Sequence, residues 1–338
     1  YREHHGGRMA QEDAILFVEA KRDDAKGAVL DELRSQAERG VGLGGDLSGT
    51  LEVTFVNENS AGSAVKREWF TGVSDAFLAD GTLLASSDGN TSFRPAPMAA
   101  SAAGLPRQLG DLELLGRFLG LALIQQVTVG VRLHPLVCKL LLRNGEAWEW
   151  THNDVKALDP LLYKHKVQYV LENPVDALCL NFTDVLHDAA ADAAGDDAAA
   201  PAESVELVPG GEEIEVTDEN KGEWVRAVCE WRLFGCNRAQ CAALLKGVHA
   251  AVPPQIIAQL AVLIAPEDLA VILAGEPTID VDDWEANAEC TGGLRRGGRA
   301  YRRFWRAVRS FSLAEREQLL QFVSGSRRPP VGGFAQLQ

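Results

Sequence analysis

The chain has 338 residues, which is too long for one small core. Of these residues 46% are apolar and 24% are charged, which is the balance of an ordinary globular protein. Its formal charge of −15 argues against a binder of phosphate backbones, because such proteins carry a surplus of Lys and Arg. Apolar runs stay well below the ~18 residues that span a bilayer, and no secretory signal opens the chain. We therefore expect a multi-lobed cytoplasmic or nuclear protein, with neither nucleic acid nor membrane as its main partner.

The first part of the chain predicts two helices and one strand around a glycine-rich loop. Residues 11–39 place apolar residues among charges as a helix does, and residues 51–55 alternate as a strand does. Residues 40–45 contain a G-x-G-x-x-G pattern, but a dinucleotide site needs a strand before it and a helix after it, which is the reverse of the order here. Residues 112–124 are apolar on nearly every face, which predicts a helix buried on all sides.

The middle of the chain predicts helices that flank an acidic insertion. A helix over residues 155–172 should stop before Asn173-Pro174, since proline disfavours helix in the residue before it. Residues 188–204 are a low-complexity tract of Ala and Asp, which predicts an insertion loop. Residues 214–217 read as a short strand, and residues 221–252 as a long helix.

The last part predicts five further helices with identifiable ends. Residues 255–264 form one, and Pro266 opens the next at its first turn, with Gly275 as its C-terminal cap. Beyond it, the predicted segments are residues 281–290, a turn at Gly292-Gly293, residues 299–311, and a helix introduced by the capping-box spacing of Ser312 and Glu315 that ends at Val323.

Charge is distributed unevenly. Residues 188–223 hold twelve Asp or Glu against a single Lys, whereas residues 295–309 hold seven Arg and no acid. Such runs are usually solvated surface, and the alternative is that they attract a partner of opposite charge.

The cysteines are scattered, and the chain has no secretory signal, so we expect free thiols. They are Cys138, Cys179, Cys229, Cys236, Cys241 and Cys290. The tightest cluster, Cys229, Cys236 and Cys241 with His249, contains no C-x-x-C pair. We predict no metal site there.

Several stretches, in the same order along the chain, resemble the HECT-type E3 ubiquitin ligase domain, and the similarity covers nearly the whole chain from about residue 20. They are residues 67–70 (Arg-Glu-Trp-Phe), 116–120 (Gly-Arg-Phe-Leu-Gly), 215–221 (Glu-Val-Thr-Asp-Glu-Asn-Lys), 280–284 (Asp-Val-Asp-Asp-Trp), 291–293 (Thr-Gly-Gly), 319–326 (Leu-Leu-Gln-Phe-Val-Ser-Gly-Ser) and 330–334 (Pro-Val-Gly-Gly-Phe).

This resemblance implies an α+β, mainly helical, bilobal HECT domain. After an N-terminal extension of residues 1–20, residues 21–276 would form the large N-lobe and residues 277–338 an incomplete C-lobe. Within the N-lobe, approximately residues 175–252 would form the small subdomain that binds a ubiquitin-conjugating E2 enzyme, with the acidic insertion at 188–204 inside it.

The resemblance also implies the chemistry. In this family a C-lobe cysteine takes ubiquitin from the E2 as a thioester and passes it to a substrate lysine, with no cofactor. That cysteine lies in a Thr-Cys-Phe context after the Gly-Gly-Phe that matches residues 332–334, and the chain has only four residues past Phe334. We expect the thioester cysteine to lie outside this chain. Cys290 stands where the family usually has an aromatic residue, and we do not expect it to act instead.

Two further expectations follow from the resemblance. The apolar candidates for E2 contact are Val205, Leu207, Val216, Leu244 and Val248. Many relatives have Phe at the position of Val248, so Val248→Phe should strengthen E2 binding. The hinge between the lobes should comprise Gly275, Glu276, Pro277 and Thr278, where a capping glycine and a proline separate two helices.

Three hypotheses compete on these grounds. The first is an E3 ligase domain, and the second is a catalytically inactive HECT-like module that only binds E2 or ubiquitin. The sequence past Gln338 would decide between them. The third, an unrelated hydrolase or metalloenzyme, has little support, because the chain contains no G-x-S-x-G, P-loop or H-E-x-x-H motif.

Overall fold

The structure is a computed structural model that describes residues 15–20, 26–47, 49–58, 62–86, 92–100, 102–186, 203–293 and 295–337. It is a mainly helical α+β fold. The first elements are β1 (Ile15–Ala20), α1 (Lys26–Glu38), β2 (Thr50–Phe55), α2 (Ser63–Ala79), β3 (Leu84–Ser86), β4 (Phe93–Pro95), α3 (Leu105–Gln125) and α4 (Pro135–Leu142). Then follow α5 (His152–Leu158), α6 (Pro160–Leu162), α7 (Tyr169–Glu172), β5 (Thr183–Leu186), β6 (Glu203–Glu206) and α8 (Lys221–Glu230). The last are α9 (Arg238–Ala251), α10 (Pro254–Leu263), α11 (Pro266–Ala274), α12 (Val281–Asn287), α13 (Arg299–Ser310) and α14 (Leu313–Ser324).

Two π-helical turns interrupt the helices of the middle region. Tyr163–Gln168 joins α6 to α7, and Trp231–Gly235 follows α8. The predicted helix over residues 221–252 is therefore two helices. The second π-helical turn, Trp231–Gly235, brings Gly235 against the Trp231 ring. A Cβ at Gly235 would lie 2.3 Å from the edge of that ring. Asn237 then donates its side-chain N–H to the Pro95 carbonyl at 3.0 Å, which fixes the start of α9.

The strands described here pair in three two-stranded sheets. β1 and β2 are parallel, in register from Ile15 with Thr50 to Ala20 with Phe55, and β3–β4 and β5–β6 are antiparallel. The predicted strand at residues 51–55 is confirmed, and its burial alternates along β2.

Two further expectations about local structure were wrong. Residues 15–20 form β1, and the helix begins only at Lys26, because the Ile-Leu-Phe-Val run pairs with β2. Residues 11–14 and 21–25 lie outside the described part of the chain. Residues 214–217 form no strand, and only Glu215 makes an isolated bridge, to Asn181. The Asn220 side chain instead binds the backbone on both sides of Val216, at the Glu215 carbonyl and the Thr217 amide.

The first and largest core, which we call the large unit, is built around α3. Phe118 of α3 contacts the aromatic rings of α2, with centroid distances of 5.9 Å to Trp69, 5.2 Å to Phe70 and 5.8 Å to Phe77. On its other side α3 packs closely against α9. The predicted buried helix at residues 112–124 is confirmed except at its end, where Ile124 is 37% exposed.

The second core belongs to a small unit that extends from Trp150 to Leu233. Its buried residues are Val155, Val167, Val170, Val175, Phe182, Val216, Trp224, Val225, Val228 and Cys229. This core begins before residue 175, and α9 lies in the large unit. The small unit therefore differs at both ends from the expected E2-binding subdomain of residues 175–252. Residues 187–202, most of the acidic tract, lie outside the described residues, and residues 203–204 belong to β6.

The third core lies in a C-terminal unit of residues 279–337. Trp284 stacks on Phe334 with ring centroids 5.0 Å apart, and Trp305 packs edge-on against Trp284 at 5.9 Å. The capping box of α14 is confirmed, since Ser312 and Glu315 exchange side-chain-to-backbone hydrogen bonds. Among the helices described, no single one is long and apolar enough to cross a membrane. Residues 221–251 and 254–263 meet that measure only as a pair bent by 98°, by length and composition alone.

Candidate functional site

A buried carboxylate organises the small unit. Asp184 of β5 is almost fully buried and accepts two hydrogen bonds from Arg232, at 2.5 and 2.9 Å, and one from Lys166 at 2.6 Å. Lys166 and Arg232 each belong to one of the two π-helical turns, so both turns converge on this one side chain. Burial on its own would raise the Asp184 pKa, but the hydrogen bonds and positive charges of Arg232 and Lys166 outweigh it, and the pKa is lowered.

The five predicted E2 contacts fall into two groups. Val205 and Leu207 are half-buried and Val216 is buried, and all three lie in the small unit. Leu244 and Val248 are 0% and 2% exposed and belong to the core of the large unit. The structure therefore does not bring the five together, and Leu244 and Val248 present no surface to a partner. The reason is that the face of α9 that carries them is the face that packs on α3.

The small unit does expose other apolar side chains. Leu161 at the start of α6 is 69% exposed, and Tyr169 in α7 is 47% exposed. Further exposed apolar residues of the unit are Leu171, Leu178, Val185 and Ile214. Large apolar side chains on one unit's surface are candidates for contact with a protein partner. Sequence reasoning missed Leu161 and Tyr169, although an apolar residue directly after Pro160 at a helix start was a visible signal.

A cleft of about 480 Å³ separates the small unit from the large one. Its walls include Trp148 and Phe234, whose rings meet edge-on at 4.7 Å, and Leu140 and Leu245 from the large unit. Arg94, Arg232 and Arg238 line it as well, and no carboxylate does.

Most of the thiols are held in unreactive surroundings. Burial raises the pKa of Cys138, Cys229 and Cys241 to about 12, and it also raises the pKa of Cys236. A thiol with so high a pKa is almost wholly protonated at neutral pH and is a poor nucleophile. Cys179 is exposed and Cys290 is half-buried beside the third core. No group of three or more His, Cys, Asp or Glu side chains suited to a metal ion occurs in the described residues.

The chain crosses from the large unit to the C-terminal unit at Gly275. This glycine ends α11 with φ of +77°, and a Cβ there would lie 2.6 Å from the Pro329 carbonyl oxygen. The next amide, Glu276 N–H, donates to that same oxygen at 2.9 Å. Pro277 and Thr278 follow before α12. The four predicted hinge residues thus form a short connection that touches the returning chain.

The returning chain, residues 324–329, lies along α2. Arg67 donates to the Ser324 carbonyl at 2.7 Å, and Thr71 donates to the Gly325 carbonyl at 2.9 Å. One turn further along α2, Asp75 accepts two hydrogen bonds of 2.7 Å from Arg327. We call this contact the return clasp. Sequence reasoning missed it, although the four-residue spacing of its α2 members places them on one helix face.

Known proteins resemble this chain over most of its length. The HECT-domain (ubiquitin-transferase) family model matches residues 72–338. The chain is 34% identical to the E3 ubiquitin-protein ligase HACE1 of Gallus gallus over 288 residues, which is 85% of this chain and 28% of that protein. It is 33% identical to HACE1 of Homo sapiens, over 85% of this chain and 30% of that protein. It is 31% identical to an E3 ubiquitin-protein ligase TOM1-like of Neurospora crassa, over 86% of this chain and 7% of that protein.

The chain thus spans less than a third of the length of these relatives. The motifs that match in order, the mainly helical α+β fold and the family match over residues 72–338 agree with one another. The chain belongs to the HECT-domain (ubiquitin-transferase) family.

Proposed function

We propose that this chain is the E2-binding and lobe-linking part of an E3 ubiquitin-protein ligase. The observation that carries the proposal is the family match over residues 72–338, which covers the second and third cores and the part of the first core that follows residue 71. In the reaction, a thiolate of the ligase attacks the carbonyl carbon of the E2–ubiquitin thioester, and the E2 thiolate leaves. A substrate lysine amine then attacks the carbonyl carbon of the new thioester and loses a proton, and the ligase thiolate leaves. Ubiquitin is then bound to the lysine through an amide.

We further propose that none of the six cysteines in this chain is the acceptor. Cys138, Cys229, Cys236 and Cys241 are buried with raised pKa values, so they lack both access and thiolate character. Cys179 and Cys290 remain, and neither has the Thr-Cys-Phe context of the family. The acceptor would then be a cysteine that is not among the residues of this chain.

A charging assay tests this proposal. The chain is incubated with E1, several E2 enzymes and ubiquitin without reducing agent, beside a longer version that carries the Thr-Cys-Phe segment. We expect an adduct that dithiothreitol removes on the longer version only. An adduct on the present chain that disappears in Cys290→Ser would overturn the assignment. A longer version that binds E2 yet forms no adduct would instead favour the alternative, an inactive module that binds E2 or ubiquitin.

We propose that the E2 binds the small unit. This unit has its own core and exposes Leu161 and Tyr169, and the half-buried Val205 and Leu207 belong to the same unit. Leu161→Asp should weaken E2 binding about tenfold, because burying one large apolar side chain is worth ~1.5–3 kcal/mol. Leu263→Asp is the matched control, since Leu263 is 77% exposed on α10 of the large unit. Equal affinities for the two variants in a binding titration would place the E2 elsewhere.

A further inference from the structure

The C-terminal unit concentrates positive charge in an otherwise acidic chain. Residues 295–309 contain seven Arg and no acid, although the formal charge of the whole chain is −15. Most of these residues lie in α13. The inward face of this helix is apolar, with Tyr301, Trp305 and Val308 buried in the third core.

The opposite face of α13 carries a stripe of arginines. Arg299, Arg302, Arg303 and Arg306 are all exposed. At 3.6 residues per turn, these positions fall within about 100° of the helix circumference, facing away from the buried residues. We call this surface the arginine stripe.

The arginine stripe has no acidic partner among the described residues. In the part of the chain that the structure describes, no carboxylate oxygen lies within 4.0 Å of a guanidinium nitrogen of these four arginines. By contrast, three other arginines of the C-terminal unit, Arg309, Arg327 and Arg328, do make ion pairs. Arg309, on the flank of the same helix, contacts both Asp282 and Glu285, and Arg327 contacts Asp75. The four positive charges are therefore not used in holding the fold together.

The arginine stripe also opposes the stability of its own helix. Like charges three or four residues apart repel, and Arg299 and Arg302, Arg299 and Arg303, and Arg302 and Arg306 all have such spacing. Arg299 additionally lies in the first turn of α13, which contains no acidic residue, where the helix dipole disfavours a positive charge. An acidic group from outside would relieve both penalties at once.

We propose that the arginine stripe binds an acidic segment of a partner protein, through carboxylates of Asp or Glu. Planar guanidinium groups bind carboxylates with paired hydrogen bonds, and a stripe of four suits a segment with acids at short intervals. A nucleic acid fits less well, because a long polyanion would extend from one helix over a chain of formal charge −15. A membrane fits less well, because the apolar face that would insert into lipid is buried inside the protein.

Direct binding tests the proposal without reference to ligase activity. The probe is a fluorescently labelled peptide rich in Asp and Glu, beside its counterpart in Asn and Gln, measured by anisotropy at low and physiological salt. The test variant carries Arg299→Gln, Arg302→Gln, Arg303→Gln and Arg306→Gln. The control carries Arg39→Gln, Arg107→Gln, Arg226→Gln and Arg238→Gln, which are exposed arginines outside α13. It removes the same formal charge as the test variant, but from arginines of which three, Arg39, Arg107 and Arg226, make ion pairs.

We expect the acidic peptide to bind, its neutral counterpart not to bind, and the stripe variant to raise the Kd about tenfold or more, with a much smaller change in the control. Thermal unfolding should show the stripe variant at least as stable as the unsubstituted chain. If it unfolds earlier, the two half-stripe variants, Arg299→Gln with Arg303→Gln and Arg302→Gln with Arg306→Gln, should each show part of the loss. Equal losses in the stripe variant and control, no binding of the acidic peptide, or tighter stripe-dependent binding of a single-stranded oligonucleotide or a phosphatidylserine vesicle would each overturn the proposal.

Discussion

At the residue scale, Asp184 shows how one side chain decides the arrangement of a unit. The two π-helical turns are 63 residues apart in sequence from Gln168 to Trp231, and Lys166 of one and Arg232 of the other share this carboxylate. Removing one partner of a buried ion pair leaves uncompensated charge, which costs more than the pair itself contributes.

Asp184→Asn should therefore destabilise the chain by about 3 kcal/mol at neutral pH. The folded-state pKa of Asp184 is lowered. Its stabilisation is thus complete above the unfolded value near pH 4 and is lost as the pH falls through the folded pKa. Urea unfolding at several pH values should show the difference between the unsubstituted chain and the variant shrinking below about pH 4. Asp176→Asn, an exposed change in the same unit, should show little effect at any pH. A difference that stays constant on acidification would contradict the assigned role.

Val248 leads to a second prediction at the same scale. The family resemblance suggested that Val248→Phe would strengthen E2 binding, but this side chain is 2% exposed in the core of the large unit. The phenylalanine ring is larger than the valine side chain and would overpack this core, so the substitution should destabilise the fold by about 1–3 kcal/mol. Chemical unfolding measures this loss, and E2 affinity of the remaining folded protein should not rise. A variant of unchanged stability with tighter E2 binding would restore the first expectation.

At the element scale, the contact of α3 with α9 depends on missing side chains. A Cβ at Gly116 would lie 2.1 Å from the Leu244 carbonyl oxygen, and one at Gly247 would lie 1.9 Å from the Glu113 carbonyl oxygen. Glycine normally weakens a helix interior, by roughly 0.5–1 kcal/mol relative to alanine. Here it allows two backbones to touch, which brings Leu244 and Val248 into the core.

Gly116→Ala should therefore destabilise the large unit by at least about 2 kcal/mol, because the helices must move apart to admit a methyl group. Gly110→Ala is the control on the same helix, since a Cβ there meets nothing within 4 Å. It should be neutral or stabilise by about 0.4–1 kcal/mol. Thermal unfolding of the two variants distinguishes them, and a Gly116→Ala protein as stable as Gly110→Ala would show that the helices do not pack this closely.

At the scale of the whole molecule, the C-terminal unit is attached to the large unit at two places. The connection at residues 275–278 leaves the large unit, and the return clasp at residues 324–329 brings the chain back to α2. If residues 275–278 act as the predicted hinge, movement about them would require the clasp to open. The clasp is partly exposed, with the Arg327 side chain 43% accessible, so its ion pair should contribute only about 0.5–1 kcal/mol.

Asp75→Asn and Arg327→Gln should each increase hydrogen exchange in residues 324–329, and the double variant should exchange little faster than either single one. That non-additivity is the signature of a direct pair. Limited proteolysis should cut the variants faster within residues 275–278. Additive effects of the two substitutions would show that the two side chains do not act on each other, and cleavage inside both flanking helices with residues 270–282 intact would remove the hinge from this position.

The sequence alone determined the elements whose signals are local. The apolar run of residues 112–124, the capping box of Ser312 and Glu315, Pro266 at a helix start and Gly275 at a helix end each fix a feature within a few residues. Motifs in family order determined the family as well. These features could be predicted because periodicity, capping and φ preference act between near neighbours.

The tertiary structure alone decided what depends on distant neighbours. Residues 15–20 became a strand because β2 lies alongside them, and Val248 became inaccessible because Gly116 and Gly247 let two helices touch. Asp184 and Arg232 are 48 residues apart, and Asp75 and Arg327 are 252 apart. Pairs so far apart in sequence leave no periodic pattern, because which residues meet depends on how the helices and strands pack in the folded chain.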